Sequence, residues 1–330
     1  MTRKPLTKWT AAVVTGAALA LSSVAAQAFP DETIRLIVPY KPGGGTDTIA
    51  RAFAAAMEKV AGQSVVVENI PGSAGINGML ALAKSEPDGH TIAINGSSDV
   101  SGAVAFRDNP PIGFDDFACA GGVFHTPAWI LSHKDNGYED LGDFMEAAKA
   151  NPGKLNFGIT GTMSATDFVA STIRGANGLD YNIINFGGGG PLKKAILANQ
   201  VQAGAIISPV LLADVAAGEL NVLAAAGDLS GISHEPVRAT KHMGDWNEDA
   251  RIDVAVIRGI FMPSGVSEEV RAKMEEMVAA TVTGEEFTNF AVNWGYAPYT
   301  QTGADYCARL PQEVEDLTAV LEKYMKPPSN

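Results

Sequence analysis

Continuous Val/Ile/Leu stretches alternate with amphipathic helical stretches along almost the whole chain, and this leaves few folds open. The apolar stretches include "IRLIVPY", "SVVVEN", "HTIAING", "LNFGITG", "YNIINF", "VQAGAIIS", "LNVLAAAG" and "IDVAVIRGIFM". Runs of this kind are strands buried on both faces, which implies mainly parallel sheets flanked by helices. The fold class is therefore α/β.

Residues 1–28 are set apart from that pattern. Arg3, Lys4 and Lys8 precede an alanine-rich apolar core and then Ala26-Gln27-Ala28, the arrangement of a secretory signal peptide cut after Ala28. The core is short for a bilayer span, so cleavage is expected rather than anchoring. About 300 residues then remain, enough for two ordinary domains. The formal charge of -13 falls to -16 when three basic and no acidic residues leave with the leader. Such acidity argues against nucleic acid and anionic membranes as partners, and an anionic ligand must be caught by local geometry. Cys119 and Cys307 either pair, as an exported protein permits, or are two buried thiols.

A second regularity lies within the first. "IRLIVPYKPGGGTDTIARAF" and "YNIINFGGGGPLKKAIL" both run strand, glycine cluster, helix, about 150 residues apart, as expected of one unit per domain. A glycine-rich turn feeding a helix N-terminus offers unpaired N–H groups and a positive dipole end to an anion. Two such edges facing one another form a two-domain clamshell. The alternation assigns residues 29–131 with 258–330 to one lobe and 132–257 to the other.

The anion is not a nucleotide phosphate. After Gly43 the chain reads Gly44, Gly45, Thr46, Asp47, Thr48, without the Lys-Ser/Thr of a P-loop, and neither cluster completes G-x-G-x-x-G. His90, His125, His133, His234 and His242 show no metal-ligand spacing, and no nucleophile elbow occurs. No cofactor, metal or catalytic residue is therefore assigned. The rival function is an exported α/β enzyme acting on a carboxylate through residues distant in sequence; a weaker rival is the sensor lobe of a signalling kinase.

Polar residues at strand ends supply the candidate site. Asp47, at a helix start, is better explained as a cap than as a catalyst. Thr46 either caps or binds. Thr160, Gly161, Thr162 and Ser164 lie between a strand and a helix, where they cap the helix or hold a carboxylate oxygen. Ser97, Ser98 and Ser208 end strands with the same two options. Arg258 interrupts an apolar strand, so it either meets an internal acid or faces a ligand carboxylate.

The segments "IRLIVPYKPGGGTDTIAR", "VVVENIPGSAGINGMLALAKSEPDGHTIAING", "LGDFMEAAKANPGKLNFGITG" and "GGGGPLKKAILANQVQAG" resemble the substrate-binding receptors of tripartite tricarboxylate transporters, the Bug receptors. The resemblance covers essentially the whole chain after the leader. It implies a periplasmic Venus-flytrap protein, monomeric and non-catalytic, that delivers a small di- or tricarboxylate to a permease of one large and one small integral subunit. It also implies a ligand held largely by backbone amides. Carried over by position, the contacts are Tyr40, Gly44, Gly45 and Thr46, then Thr160, Gly161, Thr162 and Ser164, then Gly188 and Gly189. "VIRGIFMPSGV" is similar to a segment of the branch associated with tricarboxylates and aromatic dicarboxylates, which raises Arg258 as a contact for a second carboxylate. Tyr40-Lys41 replaces the usual Phe-Pro, and Phe186-Gly187-Gly188 the usual Tyr-Lys-Gly.

Overall fold

The computed structural model describes residues 29–105, 109–207, 211–227, 229, 237, 239–252, 256–294 and 298–325; the leader assigned to residues 1–28 and the candidate Ser208 lie outside them. Two sheets organise the chain. The first holds six strands: β1 (Ile34–Val38), β2 (Val65–Asn69), β3 (Thr91–Gly96), β4 (Phe117–Thr126), β10 (Val256–Pro263) and β11 (Pro298–Gln301). Their order is β11-β4-β10-β3-β1-β2. The second holds β5 (Ala128–His133), β6 (Asn156–Ile159), β7 (Asn182–Asn185), β8 (Ala203–Ile206) and β9 (Leu220–Ala226), in the order β7-β6-β8-β5-β9.

Helices α1 (Gly45–Ala61), α2 (Ile76–Ala83) and α3 (Ser97–Ala105) belong to the first sheet. Helices α4 (Leu141–Ala150), α5 (Ala165–Ala176), α6 (Gly189–Leu197) and α7 (Leu212–Ala216) belong to the second. The chain returns and closes with α8 (Glu268–Thr283), α9 (Glu285–Asn293) and α10 (Gly303–Val320). The α/β class holds, with mixed sheets. β1 pairs in parallel with β2 and β3, and β6 with β7 and β8, but β5 and β10 are antiparallel to every strand they pair with. Both reversed strands lie where the chain passes between sheets. Hydrophobic periodicity marks a strand as buried without stating its direction.

Sheet membership changes between Thr126 and Ala128 and again between Ala226 and Val256. Residues 128–131 accordingly pair within the second sheet, and residues 256 and 257 within the first. The C-terminal helix crosses a third time. Tyr306 and Leu310 pack in the core beneath the first sheet, whereas Leu317 and Val320 join the core around Phe144, Phe157 and Phe168 in the second. Tyr324 continues this strap past α10 and donates its hydroxyl to Asp249 O at 2.7 Å.

Two devices fix α10 at its first-sheet end. Tyr306 Oη donates toward Ile257 O at 3.0 Å and Asn95 O at 3.3 Å. Its ring lies so close to Gly259 that a Cβ there would meet it at 2.1 Å, and any larger residue would push the helix off. The other device is a disulfide between Cys119 on β4 and Cys307, 188 residues apart. The pairing that the sequence left open is therefore made. Cross-linking so long a segment restricts the unfolded chain, and removing such a bond costs about 2–5 kcal/mol. Reducing it, or replacing Cys307→Ser, should lower the thermal midpoint by several degrees in a calorimetric scan; an unchanged midpoint would show that packing around Tyr306 alone holds α10.

Candidate functional site

The turn after β1 is built around one carboxylate. Gly43 adopts φ +82, a conformation strained for any side chain, and its N–H donates to Asp47 Oδ2 at 2.8 Å. Arg51 donates through Nε to Oδ2 and through Nη2 to Oδ1, each at 3.0 Å, and Asn69 Nδ2 donates to Oδ1 at 2.9 Å. Burial pushes the Asp47 carboxyl up, but the bonds from Arg51, Gly43 and Asn69 outweigh it and hold the group below its usual range. Asp47 thus clamps the turn from inside the helix, while Gly44 stands at the N-cap in extended conformation without a side chain to fill it. A Cβ on Gly44 would meet only Lys41 O, at 3.7 Å, so the side-chain position at the cap is open.

Arg258 occupies the centre of the arrangement. It lies opposite Gly96 on one side of β10 and Phe124 on the other, and is 4% exposed. Nε donates to Thr46 Oγ1 at 3.2 Å, Nη1 to Thr126 Oγ1 at 3.2 Å, and Nη2 to Ile207 O at 3.4 Å. Thr46 opens α1, Thr126 ends β4 at the crossing, and Ile207 follows β8 of the second sheet. One guanidinium therefore touches the first turn, the crossing and the second sheet's edge. Of the two options for Arg258, an acid is indeed near: Asp99 in the first turn of α3 acts on it electrostatically. Thr46, Thr126 and Ile207 nevertheless meet the guanidinium with two hydroxyls and a carbonyl, which carry no charge.

Tyr40 lines the same region, with Oη donating to Asn95 Oδ1 at 3.1 Å. Ser97 and Ser98 begin α3 at the end of β3. Ser97 lies against the Glu313 carboxyl of α10. Ser98 is 8% exposed, and its hydroxyl has no hydrogen-bond partner among the described residues. The Ser97 hydroxyl is likewise buried without a hydrogen-bond partner among the described residues.

The second sheet contributes two adjacent turns. In the one after β6, Met163 takes φ +59 and its N–H donates to Asp167 Oδ2 at 2.8 Å. Ser164 is the N-cap of α5 and accepts from Asp167 N–H at 3.4 Å. Gly43-Gly44-Gly45-Thr46-Asp47 and Met163-Ser164-Ala165-Thr166-Asp167 are therefore the same device, with a left-handed residue, a cap, a helix start, a threonine and a clamping aspartate. The glycines differ and the Thr-Asp pair remains, so glycine content pointed only to the later cluster as the counterpart of the first.

The candidate residues in this turn are committed locally. Thr160 N–H donates to Thr166 Oγ1 at 3.0 Å, and the two threonine hydroxyls lie 2.9 Å apart. Ser164 Oγ donates to Gly161 O at 2.7 Å. Thr162 Oγ1 accepts from Asn185 Nδ2 at 3.0 Å, which ties this turn to the glycine turn after β7. There Gly187 N–H donates to Asn185 Oδ1 at 2.8 Å, and Gly188, at φ +152, caps α6. A Cβ on Gly187, Gly189 or Gly190 would meet nothing within 4 Å. These side chains bond to one another and to the backbone around the two turns, and Gly188 and Gly189 lie at the start of α6.

The structure thus brings Tyr40, Gly44, Gly45, Thr46, Ser97 and Arg258 together, and groups Thr160, Gly161, Thr162 and Ser164 with Gly188 and Gly189. Arg258, through Ile207 O, links the first group to the second sheet. The model of the tripartite tricarboxylate transporter family receptors matches residues 49–324. The chain belongs to this receptor family. A UPF0065 protein of Bordetella pertussis is 29% identical over 287 residues, covering 87% of this chain and 88% of its own. The periplasmic binding protein BugD has the same fold, with a TM-score of 0.80 at 22% identity over 89% of this chain and 98% of its own. MatC of Rhodopseudomonas palustris with bound malate matches with a TM-score of 0.77 at 22% identity over 89% of this chain and all of its own. BugD and MatC place the two sheets within the two-domain binding-protein fold.

The clamp reading of Asp47 has a pH signature. Its folded-state carboxyl ionises below its unfolded value, so its contribution is complete above the unfolded value and is lost as pH falls through the folded one. Replacing Asp47→Asn removes bonds to a charged acceptor and should cost about 2 kcal/mol at neutral pH. Denaturant unfolding should show this loss shrink toward zero in acid. An equal loss at every pH would mean that the carboxylate charge plays no part.

Proposed function

We propose that this chain is a periplasmic receptor that captures a small organic di- or tricarboxylate for a tripartite tricarboxylate transporter, without chemical conversion. The observation that carries the proposal is the Arg258 fork: a buried guanidinium that contacts the first anion-binding turn and, through Ile207 O, the second sheet. A guanidinium and bare helix-start amides together suit a carboxylate, one by charge and planar geometry, the others by N–H direction and dipole. Malate, held by a protein of the same fold, is the natural first probe.

In this account the lobes correspond to residues 29–131 with 258–330 and to residues 132–257, adjusted at their borders to the sheets. They close by hinge motion at the crossings, because a ligand touching both lobes stabilises only the closed state. The leader directs export and is removed. The closed receptor then presents its joined faces to a permease with large and small integral subunits. The same chemistry at Tyr40, Gly44, Thr46 and Arg258 has no means of reading what lies beyond the carboxylate, so the panel tested must be broad.

Thermal unfolding of the protein without its leader should respond to one or a few of succinate, malate, adipate, citrate, glutamate and terephthalate, and not to phosphate or NAD. At 100 times its dissociation constant a ligand stabilises by about 2.7 kcal/mol, which moves the midpoint by a few degrees. Conversion of the bound acid to product would overturn the receptor assignment. Replacing Arg258→Ala should weaken a dicarboxylate by at least about tenfold more than its monocarboxylate analogue, measured by titration calorimetry. Equal losses would confine Arg258 to joining Thr46, Thr126 and Ile207.

A further inference from the structure

The carboxyl of Asp99 reaches round to the face of the first sheet that carries Arg258. Arg258 and Gly96 stand directly opposite one another in the antiparallel pair of β10 and β3, so their Cβ directions share a face. A Cβ on Gly96 would meet Asp99 Oδ2 at 2.7 Å, which puts that oxygen on the same face, over the neighbouring strand. An aspartate that served only the dipole of α3 from its first turn needs no such return over Gly96. We infer that Asp99 is a specificity residue that receives an ammonium group, so that the ligand is an amino dicarboxylate, a diacid with an ammonium next to one carboxylate. The inference rests on the carboxylate reading of the site proposed above.

The polar groups around Asp99 are acceptors. Tyr40 Oη has one proton, which it gives to Asn95 Oδ1, 3.1 Å away. That oxygen is fixed as an acceptor, since Gly96 N–H also donates to it at 2.8 Å. Tyr40, which acts electrostatically on Asp99, therefore has lone pairs rather than a proton to offer. Ser98, next to Asp99 in α3, is 8% exposed, and its hydroxyl has no partner among the described residues. An ammonium has three N–H donors and no acceptor. Asp99, Tyr40 and Ser98 supply three acceptors in one region, the first of them charged.

The protein's own cations do not take this place. Arg309, on the α10 helix that packs against α3, donates through Nε to Glu313 at 2.8 Å. Arg258 acts on Asp99 across space while bonding to Thr46, Thr126 and Ile207, and among the described residues Asp99 enters no ion pair. A plain dicarboxylate placed at Arg258 would lie beside a second negative charge, and like charges brought together in a partly desolvated site cost affinity. An amino dicarboxylate sets a carboxylate at Arg258 and its ammonium at Asp99, so one ligand answers both charges. A hydroxyl on the same carbon, as in malate, gives Asp99 a single neutral donor and ranks between the two. Asp99 thereby rejects the diacid that lacks the amino group, which is specificity through a repulsive element and an unmet acceptor.

The test is titration calorimetry at neutral pH with aspartate against succinate and glutamate against glutarate, pairs that differ only in the amino group, and with malate and citrate. Wild type should bind each amino acid at least about tenfold more tightly than its partner, with malate between aspartate and succinate. Replacing Asp99→Asn keeps the size of the side chain and removes its charge. It should weaken the amino acids, tighten succinate and glutarate, and bring each ratio below about threefold. If that variant does not fold, Asp99→Ser serves the same comparison, and the wild-type ratios are read without any variant. Succinate and glutarate binding as tightly as the amino acids, saturable binding of citrate alone, or an amino preference unchanged in the Asp99 variants overturns the inference while the carboxylate reading stands. Absence of saturable binding to all of these acids overturns the carboxylate reading and the inference with it.

Discussion

The buried guanidinium of Arg258 imposes the constraint on which the rest of the site depends. A permanently charged group at 4% exposure must have its N–H groups met, since each one left without a partner is costly in a low-dielectric interior. Among the acceptors that meet them are Thr46 Oγ1, Thr126 Oγ1 and Ile207 O, drawn from the first turn, the crossing and the second sheet. A side chain placed on one strand thereby fixes how three parts of the molecule lie.

Much of the surrounding structure holds that guanidinium in position. β10 carries Arg258, and the neighbouring Gly259 gives room to Tyr306, which bridges β3 and β10 through Asn95 O and Ile257 O. Cys307, adjacent to Tyr306, ties the same stretch of α10 to β4. On the other side, Asp47 closes the turn that offers Thr46, with Gly43 in the left-handed conformation this requires. The amides proposed to hold the anion are consequently positioned by interactions that need not themselves touch a ligand, a division between a supporting shell and a binding surface.

The sequence made some of this legible for physical reasons. Buried strands leave continuous apolar runs, so the α/β class could be read directly. A charged residue inside such a run is rare enough that Arg258 stood out, and three consecutive glycines exposed the first turn. The copy of that turn at 163–167 escaped notice because Met163 takes its left-handed position and Ser164 its cap, which removes the glycine signature and leaves only Thr166-Asp167 in common. The reversal of β5 and β10 leaves no trace in hydrophobic pattern. Nor does the reach of α10, whose apolar positions face one core at Leu310 and another at Leu317. The pairing of Cys119 with Cys307 depends on a helix returning across 188 residues, which no local signal encodes.

The central claim is that both sheets contribute to one carboxylate site joined at Arg258. A crystal structure of the protein with the acid that most raises its melting point tests it directly. The account predicts carboxylate oxygens within hydrogen-bond distance of the amides at Gly44 or Gly45, of the turns at residues 160–164 or 188–189, and of the Arg258 guanidinium. A ligand resting against one sheet alone, with Arg258 still bonded only to protein groups, would contradict it.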